Sequence, residues 1–250
     1  MENAVFLFGA GLIAGAMNAL AGGGSFITLP ALIAAGIPSV AANASSTVAL
    51  YPASAASVFV YGRDGFMRVG GVPLAPTIAV TLVGGLAGSL LLLWTPTTLF
   101  DHALPWLLLL ATLALAFGRQ IGAWLRARYR APAAAVLVIQ FVLGVYGGYF
   151  GGAVGLMMMA AWSLLEGADI KSLNPPRVLL VTVANTVAVL CFIIAGIIHW
   201  PATLEMGLGA IGGGIAGAYL GRALPSRAVR LTTLLIAIGM TVAFFVRAYF

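Results

Sequence analysis

The sequence predicts an all-α polytopic membrane protein made of two homologous inverted repeats. Each repeat is a glycine-broken helical hairpin followed by about three transmembrane helices. Three observations carry this. Hydrophobic residues make up 62% of the 250 and charged residues only 7%, with a mean hydropathy of +1.10, whereas a soluble domain carries about 25% charged residues. Apolar stretches long enough to cross a bilayer, ~20 residues for ~30 Å of hydrocarbon, recur along the whole chain. The two halves match one another at a nearly constant spacing.

The apolar segments fall at 4–35, 40–62, 72–94, 102–118, 133–165, 175–198, 203–221 and 231–247, room for eight crossings and no soluble domain. Alternating polarity at strand length does not recur, which excludes a barrel. Segment one is too long for a single crossing and is interrupted at Ala21-Gly22-Gly23-Gly24-Ser25. Segment two starts after Gly36-Ile37-Pro38 and ends at Gly62-Arg63-Asp64-Gly65. Segment three ends at Thr95-Pro96, and segment four runs into the basic stretch Arg119–Arg130. Segment five repeats the excess length and the interruption, here at Gly147-Gly148-Tyr149-Phe150-Gly151-Gly152. Segments six, seven and eight follow Asn174-Pro175-Pro176, His199-Trp200-Pro201 and Pro225-Ser226-Arg227. Each glycine lowers helix propensity by about 1 kcal/mol and admits left-handed backbone. Segments one and five are therefore each expected to be two short helices meeting at a break inside the membrane.

The duplication rests on several anchors. GGLAG at 84–88 before Pro96 matches GGIAG at 213–217 before Pro225 at an offset of 129. Gly36 and Asn43 match Gly167 and Asn174 at 131, and GLIAG at 11–15 matches GVYGG at 144–148 at 133. The expected organisation is a first transmembrane repeat over 1–118, a basic cytoplasmic hinge loop over 119–132 and a second repeat over 133–250. Charge decides the path of segment five. If it crosses once, the twelve basic residues split 7 to 5; if it enters and returns, all but Arg247 share one side. The positive-inside bias selects the second. A hairpin plus three crossings is an odd count, so the second copy is upside down relative to the first. Secondary transporters use this layout and hold their ligand near the midplane at broken helices.

Several function classes are excluded. The net charge of +6 is loop charge of the positive-inside kind and not a nucleic-acid face. The single cysteine, Cys191, allows neither an intrachain disulfide nor a cysteine zinc site. Met1-Glu2-Asn3 lacks the positive start of a cleavable signal peptide. There is no G-x-x-x-x-G-K-[ST] phosphate loop, and neither His102 nor His199 is deep enough in a helix to serve a buried nucleophile. The chain is expected not to be an enzyme and to need no cofactor or metal.

Candidate ligand contacts follow from the breaks. Gly22, Gly23, Gly24 and Ser25 open the second half-helix of segment one, where unpaired N–H groups and about half a positive charge make an anion site. Gly151 and Gly152 stand in the corresponding place in segment five, and Tyr149 lies inside that break. The alternative is close helix packing, which is the role expected of GLIAG, GGLAG and GGIAG. Asn18 lies one turn before the first break and Asn185 ten residues inside segment six. Such amides must find partners in the membrane, either another helix or the ligand. Asn43 and Ser46 invite the same reading, with capping of segment two as the alternative. Asn174 before Pro175 has a capping role open to it as well. Arg177 either meets the anion or snorkels to the cytoplasmic edge.

The run Gly11 to Ser25, of the form G-x-x-x-G-x-x-N-A-L-A-G-G-G-S, is followed by Pro30 and by Asn43-Ala44-Ser45-Ser46-Thr47. With Gly144 to Gly155 and the Asn185 run ending in Gly196-Ile197-Ile198-His199-Trp200, it resembles the TauE/SafE family of sulfite exporters and related permeases. The resemblance implies a multi-pass carrier in the bacterial inner membrane. Its cargo would be a small sulfur-containing anion such as sulfite, thiosulfate, a sulfonate or a related organosulfur acid. The expected partners are that anion and the lipid bilayer, with no nucleic acid, and a homodimer is compatible. The chain departs from the family pattern at Gly151-Gly152-Ala153-Val154, which lacks a triple glycine, and at the proline-rich Asn174-Pro175-Pro176-Arg177. An anion channel or a non-transporting accessory membrane protein remains an alternative to the carrier.

Overall fold

The computed structural model describes residues 2–61, 68–69, 71–126, 132–152, 154–165, 170–223 and 226–250. Its helices in chain order are α1 (Glu2–Ala21), α2 (Ser25–Ala34), α3 (Ser39–Tyr61), α4 (Leu74–Trp94), α5 (Thr97–Arg126), α6 (Ala133–Phe150), α7 (Val154–Leu165), α8 (Ile170–Ala195), α9 (Trp200–Ala223) and α10 (Ser226–Tyr249). A two-residue antiparallel pair, β1 (Arg68–Val69) and β2 (Val72–Pro73), precedes α4. The described residues are otherwise helical apart from short turns and links. Six helices, α1, α4, α5, α6, α8 and α10, are long and apolar enough to cross a membrane. α3 and α9 have the length, at 23 and 24 residues, but carry hydroxyls, amides and glycines where those six carry aliphatic side chains.

Both long segments break where the glycines cluster. Gly22 takes φ +77° between α1 and α2, and Gly151 takes φ +67° between α6 and α7. α2 stops at a Schellman turn: Gly36 at φ +88° donates to Ile33 O at 3.0 Å, and Ile37 donates to Leu32 O at 3.1 Å. That satisfies the last carbonyls of the helix. Each broken segment folds back on itself. Gly24 lies against Ala14 and Asn18, and Leu7 and Ile37 line one cleft. In the second pair Gly147 lies against Val154, and Trp162 Nε1 donates to Gln140 Oε1 at 3.1 Å.

Glycines also set the helix pairing. α1 and α9 run parallel, Gly11 against Met206 and Gly15 against Ala210, with Gly209, Gly213 and Gly217 seated on Phe8, Leu12 and Ala16. α4 and α6 run parallel in the same manner, Gly84 against Phe141 and Gly144, and Gly88 against Val145 and Tyr149. A Cβ at Gly11, Gly15, Gly88 or Gly213 would collide with a backbone carbonyl of the neighbour. The packing role expected of GLIAG, GGLAG and GGIAG is thus the one they fill. α5 and α10 run antiparallel, tied by Thr112 to Thr241 at 3.0 Å and by Trp106 Nε1 to Tyr249 OH at 2.9 Å.

These directions order the two ends of the bundle. One end gathers Asn3, the turn at 35–38, and His199 with Glu205 around a cleft of about 360 Å³. α9 leaves that end, α10 returns to it, and α5, antiparallel to α10, leaves it again. α4 therefore rises toward this end, and so does its parallel neighbour α6. The α1–α2 hairpin opens at the first end and the α6–α7 hairpin at the opposite one.

Two boundaries differ from those expected. The basic stretch is helical through Arg126 instead of forming a loop from residue 119. The apolar run marks the stretch suited to lipid, and the helix continues about two turns beyond it. α8 starts at Ile170 with Pro175 and Pro176 inside it, so Asn174 is not its cap. Membrane helices tolerate interior proline because neighbouring groups satisfy the freed carbonyls.

Candidate functional site

The first break leaves a helix N-terminus without a side-chain cap, because the N-cap residue is Gly24. The first bonds into α2 run from the N–H of Phe26 to Gly23 O (3.1 Å), and from those of Ile27 and Thr28 to Gly24 O (3.0 and 3.1 Å). Among the described residues, the N–H groups of Gly23, Gly24 and Ser25 have no backbone acceptor. Asn18 is half-buried, its carbonyl accepting from Gly22 N–H at 2.9 Å. A Cβ on Gly24 would stand 3.3 Å from Leu50 Cδ1. Leu50 is midway along α3, so the break lies at mid-height of the bundle.

The second break is held by α3. Asn43 Nδ2 donates to Tyr149 O at 3.0 Å, satisfying a carbonyl at the open end of α6. Thr47 Oγ1 donates back to Asn43 O at 2.9 Å and lies 2.6 Å from where a Cβ on Gly151 would be. The Tyr149 ring packs on Phe100 of α5 at 5.7 Å. Gly152 is buried beside the Phe150 ring. A Cβ on Gly155, in the first turn of α7, would stand 3.5 Å from Val181 Cγ2, and Val181 is midway along α8. Both breaks therefore share one level of the bundle.

Arg177 joins them. A Cβ on Gly22 would stand 2.9 Å from its Nη1, and one on Gly155 would stand 3.4 Å from the same nitrogen. The guanidinium thus lies in a gap that the two missing side chains leave open, between the first break and the start of α7. Guanidinium donors and helix-start N–H groups without a backbone acceptor, brought to one place, are a donor set that suits an anion. None of the six carboxylates falls between residues 3 and 63 or between 170 and 204, so α2, α3 and α8 carry none and α1 carries one only at its first residue, Glu2.

The family described as "Sulfite exporter TauE/SafE" matches residues 7–244. The chain belongs to the TauE/SafE family. Among its relatives are a protein of Sinorhizobium sp named "Probable membrane transporter protein ORF9", 26% identical over 95% of this chain and 90% of its own length. "Probable membrane transporter protein YfcA" of Escherichia coli strain K12 is 27% identical over 89% of this chain and 79% of its own length. A "Probable membrane transporter protein" of Haemophilus influenzae is 28% identical over 86% and 82%. No solved structure matches the chain. This TauE/SafE member is a multi-pass membrane transporter and not an enzyme.

The structure brings together only part of the set picked from sequence. Gly22, Gly23, Gly24, Ser25, Asn18 and Arg177 gather at the first break, and Asn43, Tyr149, Gly151 and Gly152 at the second. Asn43 is the fifth residue of α3 and so does not cap it. Ser46 is fully engaged with the Thr28 hydroxyl between α3 and α2. Asn185 stands apart, 8% exposed with its Oδ1 buried and unbonded among the described residues. The left-handed residue of the triple glycine is Gly22, and Gly24 takes φ −55°. Gly155 and Thr47 are contacts that residue type alone does not single out. The signal for Gly155 is the repeat offset of 131, which pairs Gly24 with Gly155 and Leu50 with Val181; no such signal marks Thr47.

Proposed function

We propose that this TauE/SafE transporter is a secondary carrier that exports small sulfur-containing anions such as sulfite, thiosulfate or a sulfonate across the plasma membrane. The anion is held at mid-membrane by Arg177 and the N–H groups at Gly23, Gly24 and Ser25, with Asn18 beside them. The observation that carries this reading is the placement of one guanidinium against both Gly22 and Gly155. The family's character as sulfite exporters supports a sulfur anion as the cargo.

Alternating access follows from an inverted pair of repeats, residues 1–118 and 133–250. Equivalent contacts support the pair: Gly24 on Leu50 and Gly155 on Val181 stand 131 residues apart in both members. Two hairpins that open at opposite ends and meet at one level give a site reachable from either side in turn.

The test is purified protein in liposomes with a panel of sulfite, thiosulfate, sulfate and short sulfonates. Saturable flux of a sulfur anion that Arg177→Gln abolishes is the expected result. Unsaturable single-channel currents would replace the carrier by a channel, and the absence of flux with any anion would leave an accessory protein.

A further inference from the structure

The two helices that face the breaks carry equivalent stripes. On α3 the residues one turn apart are Ser46, Leu50 and Ser54; on α8, at an offset of 131, they are Arg177, Val181 and Asn185. Leu50 and Val181 are the members that touch Gly24 and Gly155. The polar members differ in how they are satisfied. Ser46 bonds Thr28, and Ser54 Oγ donates to Leu50 O at 3.3 Å, so the α3 stripe is closed. On α8, Asn185 is 8% exposed, no partner is recorded for its side chain among the described residues, and its Oδ1 is fully buried.

A buried amide oxygen without a partner bears its desolvation cost uncompensated, and inside a membrane no solvent repays it. Asn185 is half a helix from either end of α8, so capping does not account for it. It lies on the same face as the two α8 residues that touch the second break, eight residues or about 12 Å of helix rise beyond Arg177. α8 runs from the basic end toward the end that holds His199.

We infer that Asn185 is a second station on the transport path: its amide takes a hydrogen bond to the anion after the anion leaves Arg177 and moves along the α8 stripe toward the outer face. The inference rests on the proposed site at Arg177. The amide has both donor and acceptor ends, and rotation about its last bond presents the N–H₂ to an oxyanion. The protein holds the amide unbonded between passages, and this keeps it available. α3 offers no such group, so the path follows α8 and hairpin α6–α7.

The experiment separates binding from passage. Wild type, Asn185→Leu, Asn185→Asp and Arg177→Gln are compared by equilibrium binding of radiolabelled sulfite to purified protein, by liposome flux and by thermal unfolding. Asn185→Leu removes an unpaired amide from an apolar place, so its melting temperature is expected to stay level or rise. Its sulfite binding is expected to stay near wild type while flux falls about tenfold or more, the effect of one lost hydrogen bond to a charged group. Asn185→Asp places a negative charge in the path and lowers flux further with binding retained. Wild-type flux in Asn185→Leu overturns the second station, and a drop in its melting temperature parallel to its flux assigns the amide a purely structural role. Unchanged binding in Arg177→Gln overturns the site at Arg177 instead, a result distinct from either.

Discussion

Thr112 and Thr241 share a hydrogen bond of 3.0 Å across α5 and α10, and they stand 129 residues apart, the offset that relates GGLAG to GGIAG. A hydroxyl has one proton to give, so one of the two donates across this pair and the other to its own helix, where Leu108 O lies 2.8 Å from Thr112 Oγ1 and Ala237 O lies 2.7 Å from Thr241 Oγ1 as acceptors. Those acceptors are again 129 residues apart. A contact between equivalent positions is what a two-fold axis produces, because residue and partner exchange places under it. The parallel pairs are exchanged in the same sense: α1 of one half with α9 of the other, α6 with α4. Such crossed packing supports the proposed inverted repeats, since neither half encloses its own hairpin.

Topology is the first prediction. The helix ends at 61, 126, 133, 170 and 226 share the second end of the bundle, and ten of the twelve basic residues, all but Arg177 and Arg247, lie in or near the segments there. By the positive-inside bias that end is cytoplasmic. In a Cys191→Ser background, cysteines at Gln120 and Ser172 are expected to label only from the cytoplasmic side, and a cysteine at Gly36 only from outside. Labelling of 120 and 172 from opposite faces would remove both the returning hairpin and the inverted repeat.

Arg177 gives the second. Arg177→Gln keeps length and polarity but loses the charge and the forked donors. Its affinity for a sulfur anion is expected to fall about ten- to a hundredfold, as for a charged hydrogen bond worth ~1.5–3 kcal/mol. Arg177→Lys restores the charge without the fork and is expected to recover part of the loss. Equal binding by wild type and the glutamine variant, measured by competition with labelled sulfite, would move the site elsewhere.

The three glycines of the first break are expected to respond differently. A Cβ on Gly24 would meet the Ala14 carbonyl at 2.7 Å, rigid backbone, so Gly24→Ala is expected to lower the melting temperature. A Cβ on Gly23 meets the end of Met17 at 3.0 Å, and that flexible side chain can move aside. Gly23→Ala is expected to fold, and Gly23→Val to fold with reduced flux because it fills the space before the N–H groups. Gly22→Ala combines left-handed strain of about 1–3 kcal/mol with displacement of Arg177. Flux lost in proportion to stability across all three would reduce the break to a packing device.

The breaks were legible because glycine clusters announce themselves in an otherwise unbroken apolar run, and the offset near 130 fixed their equivalence. Which glycine turns left-handed was not, since three identical residues carry no local difference; Gly22 takes that angle because it directly follows the last residue of α1. Hydropathy ends segment four at 118 while α5 continues to 126, because hydropathy reports where lipid ends and not where the helix does. Arg177 has the same sequence signature whether it snorkels or binds. The closeness of its guanidinium to Gly22 and Gly155 is what favours the binding reading proposed above.

The last prediction concerns the driving force. The six carboxylates are Glu2, Asp64, Asp101, Glu166, Asp169 and Glu205, each near a helix end or in a link. Asp101 borders a small cleft with His102 and Arg247, and Glu205 borders the larger one with His199. Proton-coupled carriers keep an ionisable acid within the membrane, and α3 and α8, the helices that face the breaks, have none. An anion exporter does without one. Each elementary charge crossing a potential of 100 mV is worth about 2.3 kcal/mol, so a divalent anion gains roughly 4–5 kcal/mol on leaving a negative interior. That sustains a gradient of about a thousandfold or more. Outward transport is therefore expected to be electrogenic and to run on the potential alone. In liposomes with a potassium diffusion potential and no proton or sodium gradient, anion efflux should rise as the interior is made more negative. It should be unchanged in Asp101→Asn and Glu205→Gln. Flux that ignores the potential and follows a proton or sodium gradient would place coupling groups where the sequence has none, and would make inward transport the better reading of the same site.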